Sequence, residues 1–395
     1  MNMRSRSRAW ALNACSPATW LAGVFGLFYF SYGIYLPYWS LWLDGAGVSA
    51  HHIGLLLGAS MLARTVGNLW VMSQVRSALH LQPALRILAC ISLFSGLAFY
   101  WADSGLYLWL LMLLLNFFYP ALIPLNDTLA SRYIVQVRLD YGRARLWGSL
   151  AFIVANILVG QVSAHYGVDW ILHLWLLGLL GLSLMSLVPV SPKPMSGADE
   201  PKGEGLSTVW RRAGMPSFLL IVALLQGSHA FYYGFSALYW QQQGYATSTV
   251  GYLWGLGVLA EILVLACNKR WFSHLSARYL LLLGAGCALV RWGILGTTTE
   301  LGWLIAAQLL HAGSFCFSHL GAIRYISRDL APHAAAGAQA LYAALAMGLM
   351  VALLLALSGY LYPVWAGRVF WLMAALVLPV FWVLRKPLTP APSFT

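Results

Sequence analysis

Acidic residues are what this chain has least of: 11 Asp and Glu in 395 residues, against 23 Lys and Arg, with all charged residues together only 9%. A water-exposed globular domain carries about a quarter of its residues as charges, so their scarcity excludes an ordinary soluble fold. Cysteine is also sparse. The five, Cys15, Cys90, Cys267, Cys287 and Cys316, show no metal-ligand spacing, and all but Cys15 fall in apolar runs, which reads them as packing residues. No GxxxxGK[ST] phosphate loop, nucleophile elbow or metalloprotease motif occurs, so nothing in the chain points to ATP hydrolysis or to an enzyme. Gly255-Leu-Gly257-Val-Leu-Ala260 superficially fits a dinucleotide fingerprint, but it lies inside an apolar run with no strand before it and reads as helix packing. The basic amino terminus has no small-residue cleavage signature, which argues against a removed signal peptide.

What the chain does have is apolar length. Hydrophobic residues make up 61% of it, and the mean hydropathy is +0.73. A helix needs roughly 20 apolar residues to cross about 30 Å of hydrocarbon. Twelve runs qualify: 20–43, 51–72, 84–101, 105–130, 146–164 and 169–190, then 217–242, 248–268, 277–297, 301–325, 335–358 and 364–384. Ser191 to Pro216 is the one long polar stretch between them, rich in Pro, Gly and charge. The pattern predicts an all-α polytopic membrane protein with 12 transmembrane helices in two six-helix pseudo-symmetric halves. Its expected parts are a cytoplasmic tail over 1–19, a bundle over 20–190, a cytoplasmic linker over 191–216, a second bundle over 217–385 and a cytoplasmic tail over 386–395.

A net charge of +12 raises the question of nucleic acid, but in a membrane protein basic residues first report topology. Every second loop is basic, beginning with Arg4, Arg6 and Arg8. Arg76 follows, then Arg132, Arg138, Arg143 and Arg145, Arg211 and Arg212, Lys269, Arg270 and Arg278, Arg328, and finally Arg385 and Lys386. The alternate loops carry Asp44, Asp103, Asp169 and Glu300, with Arg368 the one basic exception. Both termini are therefore expected in the cytoplasm, the number of crossings is even, and no nucleic-acid partner is implied.

The halves repeat. Ser31-Tyr32-Gly33 with Trp39 matches Tyr232-Tyr233-Gly234 with Trp240, and Ile53-Gly54, Gly58 and Ala63-Arg64 match Val250-Gly251, Gly255 and Ala260-Glu261. At equivalent depth one half has Arg64 and the other Glu261, so opposite charges break the repeat. Buried ions are expensive in hydrocarbon, which leaves two readings: an ion pair locking the halves, or a substrate or proton site on a cavity wall. His229, Arg291, His311 and His319 join Glu261 inside apolar runs of the second half, with His229, Glu261 and His311 expected near the bilayer midplane. A carboxylate beside an arginine and a histidine is the chemistry proton coupling needs. Pro120 and Pro124 invite a break late in the fourth helix, where Asp127 is placed to meet Arg143 or Arg145, as a gate, a binding element or a staple.

These residues resemble the major facilitator superfamily over nearly the whole chain. Pro124-Leu-Asn-Asp127 and Tyr141-Gly-Arg-Ala-Arg145-Leu-Trp-Gly148 resemble segments of the lactose permease type of proton symporter. By that resemblance Asp127 and Arg145 stand at the sugar-binding carboxylate and arginine, Glu261 at the helix-eight carboxylate, and Arg291 and His311 at the coupling arginine and histidine. Two elements depart: Ser314 stands where that family carries its proton glutamate, and Gly67-Asn-Leu-Trp-Val71 lacks the usual loop Asp.

Phe30-Ser-Tyr-Gly-Ile34, Leu225-Gln-Gly-Ser-His229 and Gly251-Tyr-Leu-Trp254 are similar to the 3-phenylpropionate permease branch. That resemblance implies proton-coupled import of an aromatic carboxylic acid across a bacterial inner membrane, powered by the proton gradient without a cofactor or metal. Its partners would be a small carboxylate, protons and lipid, and a monomer suffices. The expected substrate-binding residues are Arg64 for the carboxylate and Tyr32, Trp39, Tyr233, Trp240 and Trp254 for the ring. Glu261, Arg291, His311 and His229 are expected to couple protons, with Asp127 and Arg145 supporting the site or a gate. A proton symporter of sugars or nucleosides, a proton-driven exporter and a non-transporting sensor remain as alternatives.

Overall fold

The computed structural model describes residues 15–75, 77–102, 105–195, 204–386 and 388. Arg4, Arg6, Arg8, Arg76, Asp103 and most of the carboxy-terminal tail lie outside them. Eleven continuous helical stretches are long and apolar enough to cross a membrane. We number them α1 (Pro17–Gly45), α2 (Ala50–Gln74), α3 (Ala78–Trp101), α4 (Leu106–Val137), α5 (Tyr141–Tyr166), α6 (Trp170–Leu187), α7 (Met215–Gln242), α8 (Thr247–Phe272), α9 (Ala277–Thr297) and α10 (Leu301–Asp329). The last stretch, Pro332–Val383, holds 52 residues. At about 1.5 Å per residue that is over twice the thickness of the hydrocarbon. It turns back at Ala366, whose φ is 45°, and so divides into α11 (332–365) and α12 (Val369–Val383). The described residues therefore make twelve crossings.

Local chemistry sets the helix ends. Ser16, Ser49, Asp140 and Ser276 cap α1, α2, α5 and α9 by accepting a backbone N–H three residues on. Arg138 closes the α4–α5 turn in the left-handed region, with φ 54°. Several helices are interrupted within the membrane. In α7 regular helix stops at Gly227 and resumes at Ala230, with Ser228 and His229 between. In α4 the Pro120 region tightens to a 3₁₀ turn over Tyr119–Ala121. Wide π turns occupy Gly313–Phe317 of α10 and Tyr342–Met350 of α11. Such interruptions free backbone groups and are common at functional sites.

Helices have no hydrophobic drive to associate in lipid, so close packing depends on small residues. Between the halves that packing is concentrated away from the linker. A Cβ on Gly54 of α2 would lie 2.5 Å from Cα of Gly359 in α11, and one on Gly58 would lie 2.7 Å from the Ala352 carbonyl oxygen. On the other flank a Cβ on Gly160 of α5 would lie 2.8 Å from the Thr247 carbonyl oxygen of α8, and one on Gly251 of α8 would clash with the Asn156 carbonyl. Gln161 Nε2 donates to the Tyr252 hydroxyl at 2.8 Å across the same seam. Gly54 and Gly251 are equivalent positions of the internal repeat, so one motif builds both seams.

Within the linker a short helix, Leu206–Trp210, docks on α11. Val209 is fully buried there and lies 2.8 Å from a Cβ placed on Gly337. Arg212 donates to both carboxylate oxygens of Glu204, at 2.9 and 2.5 Å, and the Glu204 backbone N–H donates to the His333 carbonyl at 3.0 Å. The hydrogen-bonded Arg212 guanidinium holds the Glu204 carboxyl below its ordinary value.

Candidate functional site

The interrupted helices bring the intramembrane polar residues of the second half together. Glu261 of α8 and His311 of α10 meet at 2.6 Å, Oε1 to Nε2. Gly257, one turn before Glu261, leaves the room: a Cβ there would lie 3.2 Å from the His311 ring and 3.3 Å from Gln308 Oε1. A contact this short between a carboxylate and an imidazole holds a proton between the two atoms. His311 Nδ1 is buried with no partner among the described residues, so the imidazole depends on Glu261 for its hydrogen bonding.

Arg291 of α9 is fully buried and does not pair with Glu261. Its Nε donates to the Ala307 carbonyl at 3.0 Å, one terminal nitrogen reaches Ser314 Oγ at 3.4 Å, and its guanidinium carbon stands 4.2 Å from the Tyr232 ring centroid. Glu261 thus meets His311 rather than Arg291, whose guanidinium engages a carbonyl, a hydroxyl and a π face while its second terminal nitrogen has no hydrogen-bond partner among the described residues. His229 sits in the break of α7. Its Nδ1 donates to the Leu225 carbonyl at 3.0 Å, and its Nε2 lies 3.2 Å from Ser314 Oγ. Ser314, noted in the sequence only for the glutamate it replaces, is the hub that His229 and Arg291 share. Its hydroxyl allows the approach of an arginine without supplying a second carboxylate.

Arg64 and Glu261 do not form an ion pair, which removes the locking reading. Arg64 donates to the Tyr32 hydroxyl at 3.2 Å and has no carboxylate partner among the described residues. It lines a cavity of about 260 Å³ with Thr65 and Asn68 of α2, His319 of α10 and Gln339 and Tyr342 of α11. Both halves form its walls. Tyr32 and Tyr233 are half-buried, whereas Trp254 is 3% exposed and stacks on Tyr232 with centroids 4.5 Å apart. Trp39 is 1% exposed inside the first half, among Tyr35, Trp42, Phe99 and Trp175. Trp240 is fully buried at the end of α7 away from the linker. These two tryptophans pack their bundles and offer a ligand no surface in this conformation.

Towards the linker, Asp127 and Arg145 approach to 3.9 Å, and Tyr141 donates to Asp127 Oδ1 at 3.0 Å. Arg145 also lies over Tyr29, 4.1 Å from its centroid. This is the Asp127–Arg145 pairing rather than Asp127–Arg143. Sequence reasoning passed over Gln226, Gln308 and Tyr342: the Tyr232 hydroxyl donates to Gln308 Oε1 at 2.9 Å, and Gln226 Nε2 donates to Tyr342 at 3.1 Å. The available signal was two glutamines inside otherwise apolar runs, since an uncharged amide in hydrocarbon also requires a partner.

Twelve crossings, repeat-related glycine seams and a polar cavity walled by both halves agree with the match of an MFS_1-like family profile to residues 18–373. The chain belongs to the major facilitator superfamily. It is 42% identical over 379 residues to a "Probable 3-phenylpropionic acid transporter" of Escherichia coli (strain K12), covering 94% of this chain and 98% of that protein. It is 27% identical over 354 residues to a maltose permease of Geobacillus stearothermophilus, covering 87% and 88%. The nucleoside transporter NupG shares the fold, with a TM-score of 0.82 at 14% identity, covering 94% of this chain and all of that one. As a superfamily member the protein is a multi-pass membrane transporter of small molecules and not an enzyme.

Proposed function

We propose that this transporter imports 3-phenylpropionate or a related aromatic carboxylic acid together with protons. It works in a bacterial inner membrane, with the basic linker side in the cytoplasm, draws on the proton gradient and uses no cofactor. The observation that carries the reading is the 2.6 Å Glu261–His311 contact in the same membrane layer as Arg64, a cation that no described carboxylate neutralises. An unpaired arginine on a cavity wall is costly unless an anion completes it. The 42% identical relative supports the choice of anion.

The steps follow from charge. With the cavity open away from the linker, a proton on the Glu261–His311 pair removes the negative charge that would repel a carboxylate. The acid then binds Arg64, its ring against Tyr32 and Tyr233, and the halves rock about the site. With the glycine seams closed, as in this conformation, substrate and then proton leave on the linker side.

Uptake of labelled 3-phenylpropionate into proteoliposomes, with cinnamate, maltose and uridine as competitors, tests the substrate class. Competition by cinnamate alone supports the proposal; competition by maltose or uridine overturns it.

A further inference from the structure

We propose that His319 is a second carboxylate-binding residue of this site, a donor opposite Arg64 that selects acids over neutral molecules of the same shape. The inference rests on the reading of the substrate as a carboxylate and deepens it.

His319 lies on the wall of the 260 Å³ cavity that Arg64 also lines. Its Nδ1 is 3.1 Å from the Tyr342 hydroxyl, and that oxygen already accepts a hydrogen bond from Gln226 Nε2 at 3.1 Å. A phenol that accepts from an amide has its own hydrogen left to donate, and Nδ1 is the acceptor in reach. The ring proton of neutral His319 is thereby assigned to Nε2. Nε2 has no partner among the described residues and keeps some exposure, and its ring lines the cavity. Gln226, Tyr342 and His319 form a chain whose free end is an N–H donor. Phe315 fixes the ring from one side, stacking on it at 6.1 Å with the planes 3° apart.

The surroundings favour an anion. Arg64, which no described carboxylate neutralises, supplies a cation to the same cavity. His311 holds the Glu261 carboxylate, and Phe315 stacks on both the His311 and the His319 rings. Arg64 and His319 belong to different halves, so a carboxylate between them joins α2 to α10. Such an anion contributes to the rocking motion as well as to affinity. A sugar or nucleoside would use neither the charge of Arg64 nor a donor preset in this way.

Binding of 3-phenylpropionate and of its neutral analogue 3-phenylpropan-1-ol to the purified full-length protein tests this, by titration calorimetry on wild type, His319→Phe, His319→Gln and Tyr342→Phe. Wild type is expected to prefer the acid. His319→Phe should lower affinity for the acid by about tenfold or more, the loss of one hydrogen bond to a charged group, and leave the alcohol unchanged. His319→Gln keeps a donor and should recover most of the preference, and Tyr342→Phe should fall between. An unchanged acid-to-alcohol ratio in His319→Phe overturns the inference while leaving the substrate reading intact. Should wild type instead bind aliphatic monocarboxylates and no aromatic acid, the substrate reading fails; His319 is then judged by the same ratio measured with butyrate and butanol. Binding of maltose or uridine alone overturns both.

Discussion

Arg64 decides affinity at the level of single residues. Replacing it with Gln removes a charge-assisted contact and should raise KM for an arylpropionate about 10- to 100-fold, the range that about 1.5–3 kcal/mol produces, while Arg64→Lys retains part of the affinity. Initial-rate uptake at several substrate concentrations measures this; an unchanged KM in Arg64→Gln removes it from the site. Much at this scale was legible in the sequence, because a titratable group inside an apolar run announces itself, as at Arg64, Glu261, Arg291, His229 and His311. Their partners were not legible. Whether Glu261 meets Arg291 or His311 depends on side-chain reach across three helices, which no spacing encodes, and Ser314 drew notice as a missing carboxylate rather than as the hydroxyl that Arg291 and His229 share. Trp39 shows the opposite error. Its helix was expected to line the cavity and bring it to the substrate ring, whereas its side chain is buried in the interior of the first half.

Among the helices, the glycine seams and the linker helix make separate predictions. Gly54→Val forces α2 from the backbone of α11, and overpacking of this kind costs about 1–3 kcal/mol. The conformation closed away from the linker should lose population by about tenfold or more. A cysteine at Asn156, in a background lacking the five native cysteines, should then react faster with a membrane-impermeant maleimide added from that side. Unchanged labelling would show that the seam is not a gate. At the linker, Glu204 is held below its ordinary value, so its ionised form favours docking of Leu206–Trp210. That contribution is present at neutral pH and fades as the pH falls through and below the ordinary glutamate range. Amide exchange over 204–212, corrected for intrinsic rates, should rise in acid and in Glu204→Gln at neutral pH; equal protection in both would contradict it. The helix boundaries were readable to within a few residues for most spans, but the interruption at Ser228 and His229 and the wide turns of α10 and α11 were not.

For the whole molecule, two copies of one six-helix pattern surround a site where the copies differ. Gly54 and Gly251 preserve the duplicated architecture and form matching seams, while Arg64 and Glu261 stand at equivalent depth with opposite charge and different partners. That asymmetry separates the labour: one half offers a cation to the substrate, the other a carboxylate and an imidazole to the proton. Coupling then follows if the two cannot be occupied independently, since an ionised Glu261 disfavours a second negative charge nearby.

The most direct test of this coupling is accumulation of labelled 3-phenylpropionate in proteoliposomes under an imposed inward proton gradient, comparing wild type with Glu261→Gln. Wild type should concentrate the acid only while the gradient lasts, and Glu261→Gln should exchange labelled for unlabelled acid yet fail to accumulate it. Full gradient-driven accumulation by Glu261→Gln would contradict the account, since a side chain that cannot ionise would then be carrying no part of the coupling.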